Sequence, residues 1–361
     1  MLRKIAYIVY SNEAATSGVL KKVTTSLKTW QNYGIQSKLF ILTSNKKLKA
    51  QLISSNFLGG SIQIYFFDSN KNKVVQFKKL VTDVIQFYPD VVYYRYHMFL
   101  PGYLKLTSKI PVIIEVNTND IIERKIQSKI IYIINKLTRN IIFKNCVGII
   151  FVSPELPHLH EFSKFKKPFL VLGNSIDTGV IPWLRPTKNR IPQLVYIGGA
   201  NQPWQGIDKI FTLAALFPKW IIHIIGLTNT SKTAPPNVKF YGFLEFNQYI
   251  KILQKADCAI GTLALHRKQM NSTSALKILE YLSFGLPVIL AYQDTNLPEQ
   301  APYILKLPNV ENNIVPNKSQ IEKFVYAWLN KRVPKNIRNI FDTKTIENKR
   351  IKFFEEVLKS R

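Results

Sequence analysis

Residues 271–290, NSTSALKILEYLSFGLPVIL, bring together a run of hydroxyls, one lysine and one glutamate at helical spacing. Just before them lies a basic stretch, Leu265-His266-Arg267-Lys268. Serine and threonine are preferred helix N-caps, so Ser272-Thr273-Ser274 is expected to open a helix. The start of a helix leaves backbone N–H groups unpaired and carries the positive end of the helix dipole, which favours anions. Lys277, one turn in, adds a charge, and Glu280 is placed to reach back toward a ribose hydroxyl. The chemistry this pattern fits is recognition of a phosphate-bearing nucleotide at the carboxyl end of parallel strands. Capped helices after strands are also generic in α/β domains, so the same residues read as an ordinary capped helix too.

The elements that must position these residues alternate along the chain. Strand-like runs at 4–9, 38–42, 62–67, 91–96, 112–116 and 148–152 are separated by segments with helical periodicity, among them 19–32, closed by Gly34, and 77–87. A second series follows at 194–197, 220–225, 238–241, 258–263 and 287–291, with a run at 169–172 near the join. Such alternation implies parallel, doubly wound sheets, and two of them in one chain place ligands beyond the carboxyl ends of their strands. The last segment, 342–359, reads as a strongly charged helix.

At 361 residues the chain suits two domains rather than one core. Its net charge of +28 is spread through both halves, and no zinc-finger spacing, basic zipper or RNP aromatic signature accompanies it. Nucleic acid is therefore not an expected partner, and a diphosphate or anionic headgroups suit the charge better. Cys146 and Cys258 each lie beside or within an apolar run, so buried free thiols are expected, in a reducing compartment. No run approaches the ~18 consecutive apolar residues of a membrane-spanning helix. The nearest, 130–143, is broken by Lys136 and Arg139 and reads as an amphipathic helix, packed on the core or, alternatively, facing a membrane. The N-terminus does not read as a signal peptide. Gly198-Gly199 follows a strand without the third glycine of a dinucleotide fingerprint, and there is no Walker A motif or nucleophile elbow.

In combination and order, LVYIGGANQPWQGID (194–208), VKFYGFL (238–244), KADCAIGTLALHRKQMNSTSALKILEYLSFGLPVIL (255–290) and LGNSID (172–177) make the chain similar to the retaining glycosyltransferases of family 4. The resemblance implies the GT-B fold: two Rossmann-like α/β domains facing each other across a cleft, with the C-terminal helix returning to the N-domain. It sets an acceptor-side domain at 1–165, a nucleotide-sugar domain at 166–340 and a terminal helix at 341–361.

Carried onto this sequence, the resemblance makes Glu280 the ribose-binding second glutamate of a Glu-x7-Glu motif. The first glutamate is replaced by Ser272. Lys277 and the backbone of Thr273, Ser274, Ala275 and Leu276 fall where relatives hold the diphosphate. Tyr241, Gly242 and Phe243 frame the base, and Gly18 lies in the loop that approaches the phosphates or the acceptor. Relatives often carry an arginine and a lysine where this chain has Gly199, after Gly198, and Gln205; Arg267 and Lys268 are the expected replacements. Where many relatives have a histidine, this chain has Asn117. His97 is the other acceptor-side candidate, and Glu115 reads either as a general base or as a structural carboxylate paired with Arg95.

The resemblance further implies sugar transfer with retention, from a nucleotide-diphosphate sugar (UDP before GDP) to a saccharide or lipid-linked saccharide in cell-surface polysaccharide synthesis. It implies neither metal nor cofactor. The cysteines suit a cytoplasmic protein, and the basic surface without a membrane-spanning run suits either a free protein or one attached peripherally to the anionic inner face of the membrane. A catalytically inactive nucleotide-sugar-binding protein, an epimerase of the same fold and a nucleic-acid-binding protein are the competing readings.

Overall fold

The computed structural model describes residues 2–15, 17–54, 61–199, 202–228 and 234–360. They fall into two compact units: Met1–Ile176 with Thr343–Arg361, and Asp177–Asp342.

The first unit is built on β1 (Lys4–Tyr10), β2 (Gln36–Thr43), β3 (Ile62–Phe66), β4 (Val91–Arg95), β5 (Val112–Val116), β6 (Gly148–Phe151) and β7 (Phe169–Val171). Among the described residues these form one parallel sheet in the order β3-β2-β1-β4-β5-β6-β7. The central strands are buried on both faces, which is why they read as unbroken apolar runs rather than alternating ones. The crossovers are α1 (Gly18–Asn32), α2 (Leu48–Ser54), α3 (Asn70–Phe87), α4 (Tyr103–Thr107), α5 (Asp120–Gln127), α6 (Lys129–Lys144) and α7 (His160–Ser163). Ser17 caps α1 through Leu20 N–H at 3.3 Å, and Ser69 caps α3 through Asn72 N–H at 3.2 Å. The latter cap starts α3 seven residues before the expected 77, because its polar first turns carry no apolar periodicity. The unit runs beyond 165 because β7 is hydrogen-bonded to β6.

α12 (Thr343–Lys359) closes the first unit, as the resemblance implies. Its charged sequence hides a buried polar key. Glu347 is fully buried and accepts hydrogen bonds from Ser26 Oγ and Trp30 Nε1, each at 2.7 Å, while pairing with Arg350. Phe354 packs edge-on to Trp30 and tilted against Tyr93. Trp30 is wholly enclosed, a side chain whose truncation in such a core costs about 3–5 kcal/mol.

The second unit contains α8 (Ile207–Leu216), α9 (Phe246–Leu253), α10 (Leu276–Phe284) and α11 (Lys318–Trp328). Its sheet uses β8 (Gln193–Ile197), β9 (Ile221–Ile225), β10 (Val238–Phe240), β11 (Cys258–Ile260), β13 (Val288–Leu290) and β15 (Ile304–Lys306), in the parallel order β10-β9-β8-β11-β13-β15. A separate two-strand ladder pairs β12 (Ser272–Thr273) with β14 (Gln293–Asp294). Gly261 lets α10 close on the sheet: a Cβ there would lie 2.7 Å from Ile278 Cδ1 and 3.1 Å from Leu290 Cβ. Cys146 and Cys258 are buried free thiols, as the sequence predicts.

Candidate functional site

In the second unit the strand order reverses between β8 and β11, and the crevice beyond their carboxyl ends is where ligands of such sheets bind. The chain lines this edge with backbone. Gly198 follows β8, Gly226 follows β9 and Gly242 follows β10. A Cβ on Gly226, whose φ is +93°, would lie 2.2 Å from the Gly198 carbonyl oxygen. Gly226 N–H donates to Gly242 O at 2.6 Å, and Gly242 N–H donates to Leu227 O at 2.9 Å. Only glycines permit this approach. The sequence reading named Gly198, Gly199 and Gly242 but missed Gly226, although IIHIIG repeats the strand–glycine signature of LVYIGG. Ala200 and Asn201, within the quoted 194–208 segment, lie outside the described residues.

Beside this wall sits a polar knot. The Gln205 side-chain oxygen accepts from Tyr196 Oη at 3.1 Å, from Thr262 Oγ1 at 3.2 Å and from Lys277 Nζ. The Lys277 ammonium also lies 4.2 Å over the Tyr196 ring. Gln205 is held in place from behind, since Leu263 and Ala264 donate backbone hydrogen bonds to the carbonyls of Gln205 and Trp204. Burial pulls the Lys277 ammonium down to about 7, and no described carboxylate pairs with it. Its chemistry is that of a poised cation next to a helix N-terminus.

That helix, α10, begins at Leu276 with Ala275 at the N-cap and no side-chain cap. The expectation that Ser272-Thr273-Ser274 opens it is corrected. Ser272 and Thr273 form β12, whose backbone is taken up by the ladder to β14, and Ser272 and Ser274 are buried. Lys277 is thus in the first turn, where backbone N–H groups have no helical partner. Glu280, one turn later, accepts a short hydrogen bond from Tyr249 Oη. The helix stops at Gly285, φ +86°, with Leu286 N–H returning to Tyr281 O.

Other predicted residues behave differently. Arg267 ion-pairs with Asp208 and Glu311, and all five of its N–H donors are engaged with those carboxylates and the Pro203 carbonyl. These contacts brace the loop that carries Arg267. Lys268 lies 4.3 Å over the Trp204 ring. The Tyr241 hydroxyl meets His223 Nδ1 at 2.8 Å, whereas Phe243 is 73% exposed. Gly199 adjoins the wall, and a Cβ there would meet only Gln202 Nε2, at 4.0 Å.

Gly18, His97, Glu115 and Asn117 belong to the first unit. Gly18 is the first residue of α1 rather than part of a loop. Glu115, at the end of β5, is buried and receives Tyr7 Oη at 2.8 Å, Arg95 Nη1 at 3.2 Å and Lys22 Nζ. Burial alone would raise its carboxyl, but Lys22, Arg95 and Arg350 more than offset that and hold it well below the usual carboxylate range. A carboxylate ion-paired and hydrogen-bonded in this way has the surroundings of a structural group, the second of the two readings the sequence allows. His97 lies apart from this group. Its Nδ1–H donates to the Met98 carbonyl at 2.9 Å, its Nε2 accepts from Lys73 Nζ at 3.3 Å, and its ring centroid is 4.1 Å from that of Tyr10. Burial and then Lys73 pull the imidazole down to about 3, so it is neutral. Asn117 directly follows β5 and is partly exposed. Among the described residues no group of three or more His, Cys, Asp and Glu side chains is placed to hold a metal ion.

No protein-family model and no curated protein matches the sequence. Solved structures do resemble it along the whole chain. Sucrose-phosphate synthase from Thermosynechococcus elongatus matches with a TM-score of 0.70 and 13% identity, covering 99% of this chain and 100% of that one. A glycosyltransferase from Rickettsia africae matches with a TM-score of 0.69 and 14% identity, covering both chains fully. The pneumococcal O-GlcNAc transferase GtfA, solved in complex with UDP and GlcNAc, matches with a TM-score of 0.67 and 11% identity over 99% of each. These neighbours are GT-B glycosyltransferases, and the chain has the GT-B fold of two Rossmann-like α/β domains.

Proposed function

We propose that the protein is a retaining glycosyltransferase of the family-4 type that moves a sugar from a nucleotide-diphosphate sugar to a saccharide or lipid-linked saccharide. The observation that carries this reading is the glycine-lined strand edge at the switch point of the second unit with the Lys277–Gln205 pair beside it, Glu280 lying one turn further along the same helix. A nucleotide-diphosphate has the matching chemistry: a diphosphate for the Lys277 ammonium and the α10 N-terminus, and ribose hydroxyls for Glu280. The exposed Phe243 ring offers a face on which a base stacks. UDP is favoured over GDP, and the UDP-bound neighbour is in keeping with that.

In this reading the bond from the anomeric carbon to the diphosphate oxygen breaks as the bond to the acceptor oxygen forms on the same face. The acceptor proton passes to the departing diphosphate, so no protein nucleophile, metal or cofactor is needed. The chain's part is electrostatic: Lys277 and the helix N-terminus stabilise the charge that grows on the leaving group. The acceptor-side residues proposed are His97 and Asn117 at the carboxyl edge of the first sheet, with Gly18 nearby in sequence to β1. The setting proposed is cell-surface polysaccharide synthesis at the inner face of the membrane. Among the described residues no helix is long and apolar enough to cross a membrane, and attachment is proposed as peripheral.

The test is a thermal-shift screen against nucleotide-diphosphate sugars, followed by product analysis with saccharide acceptors. Stabilisation by one donor in the wild type but not in Lys277→Met is expected, since ligand stabilisation scales with concentration over affinity. Donor binding with neither transfer nor hydrolysis would select the inactive binding protein instead; no stabilisation by any donor would end the proposal.

A further inference from the structure

Helix α6 is turned inside out. Its buried residues are Asn135, Arg139, Ile142 and Phe143. Two of these are polar, and they are anchored by the buried Asp120 of α5. Arg139 donates to Asp120 through Nε at 3.0 Å and Nη2 at 2.9 Å, and Asn135 Nδ2 donates at 2.6 Å. The aliphatic residues of the same helix face outward: Ile130 is 71% exposed, Ile133 and Ile134 47% each, and Leu137 73%. At 3.6 residues per turn these four lie on one face, and Ile126 of α5, half exposed, lies just before them in sequence. An ordinary surface helix does the reverse, and a contiguous exposed aliphatic stripe marks a docking surface.

The charges around the stripe select what docks. Lys129, Lys136 and Lys144 on α6 and Lys125 on α5 are exposed, and α6 contains no acidic residue. We infer that the outward face of α6 seats the protein on an anionic lipid bilayer, with Ile130, Ile133, Ile134 and Leu137 in the headgroup–acyl boundary and the flanking lysines on lipid phosphates. Lysine stems extend alongside an apolar face while their ammonium groups stay at headgroup level. A second copy pairing through the same stripe would set lysines against lysines, which disfavours a dimer there. A 16-residue helix broken by charge lies on a bilayer rather than across it. The inference rests on the membrane setting proposed above and names the surface that serves it.

The experiment is co-sedimentation of the full chain with vesicles of phosphatidylcholine alone, or of phosphatidylcholine with phosphatidylglycerol, at low and high salt. Binding to the anionic vesicles, weakened by salt, is expected. Ile133→Ser with Leu137→Ser should weaken it by about tenfold or more, since two exposed aliphatics are lost from the boundary. Lys129→Gln with Lys136→Gln should reduce the preference for anionic lipid. Both double variants should keep the wild-type melting temperature and nucleotide-sugar thermal shift, because none of these side chains is buried. Failure of the wild type to sediment, equal binding by the Ser variant, or a solution dimer abolished by the Ser substitutions in a chain indifferent to vesicles would each overturn the inference. Vesicle binding without any nucleotide-sugar shift would leave this surface standing and remove the transferase reading.

Discussion

The Lys277 ammonium and the Gln205 side-chain carbonyl, 72 residues apart in sequence, meet in one hydrogen bond beside the Tyr196 ring. The family resemblance expects a lysine at 205. Here the cation comes from the first turn of α10, and the residue at 205 is its acceptor. An ammonium partly withdrawn from water and held only by neutral groups is under-compensated, a state that an incoming diphosphate relieves.

Donor affinity should therefore depend on Lys277 and on pH. The free ammonium loses its proton near pH 7, so affinity should fall as pH rises through about 7. Lys277→Met should lower affinity by roughly 10–100-fold at pH 6, the worth of a hydrogen bond to a charged group, and flatten the pH dependence. Isothermal titration with the donor between pH 6 and 9 decides it; a steep pH dependence that survives in Lys277→Met would place the charge elsewhere.

Phe243 separates binding from folding. Its side chain is exposed, so Phe243→Ala should change stability by no more than about 0.5 kcal/mol. Loss of stacking should cost about 1–2 kcal/mol of nucleotide affinity. Unaltered affinity for the nucleotide would remove Phe243 from the base site.

Glu115 is expected to hold the first unit together rather than to catalyse. Glu115→Gln leaves Lys22 and Arg95 without their anion and should cost about 3 kcal/mol in denaturant unfolding. Because the folded carboxyl is held low, this stabilisation is full above the unfolded value of about 4.3 and fades as pH falls toward the folded one. The gap between wild type and variant should thus be widest near neutrality and narrow in acid. A variant of wild-type stability that has lost turnover would favour the general-base reading.

Asp294 should give the opposite pH signature. It is buried on β14, and among the described residues its Oδ2 and the Tyr292 hydroxyl have no hydrogen-bond partner. Burial pushes its carboxyl up to about 7, so between about pH 4 and 7 the folded chain holds a proton that the unfolded chain has lost. Its contribution to stability accordingly declines as pH rises through that window. Asp294→Asn keeps a carbonyl for the Asn296 N–H, which donates to Oδ1 at 3.0 Å, and should be stabilising by roughly 2–4 kcal/mol at pH 8 and near neutral at pH 4. Melting curves of both proteins across that range would show it; parallel curves would refute it.

Glu347→Ala strands Arg350 and empties the acceptor site of Ser26 and Trp30, at a cost of about 3–5 kcal/mol. Limited proteolysis should then cut the linkage before α12 earlier than in the wild type. Wild-type protease resistance would mean that apolar packing of Phe353 and Phe354 suffices to dock the helix.

Much of this protein is legible in its sequence, because the responsible signals are local. Unbroken apolar runs alternating with amphipathic ones state parallel strands and crossover helices. Glycines directly after strands state close backbone approach, and Gly226 was as readable as Gly198. Cys146 and Cys258 were legible as buried thiols from their apolar neighbours.

Tertiary structure alone decided what the polar groups do, because a charged side chain's role depends on partners far away in sequence. The hydroxyls at 272–274 read as a cap, but 272 and 273 pair with 293 and 294 and the helix opens after them, at Leu276. Arg267 meets Asp208 and Glu311, and Glu115 meets Lys22 as well as Arg95, through contacts between residues far apart in sequence. Local pattern likewise left α6 ambiguous between core and membrane. Its outward isoleucines became visible only once Asp120 was seen to draw Asn135 and Arg139 inward, since burial of a charge is set by its counter-ion and not by its own helix.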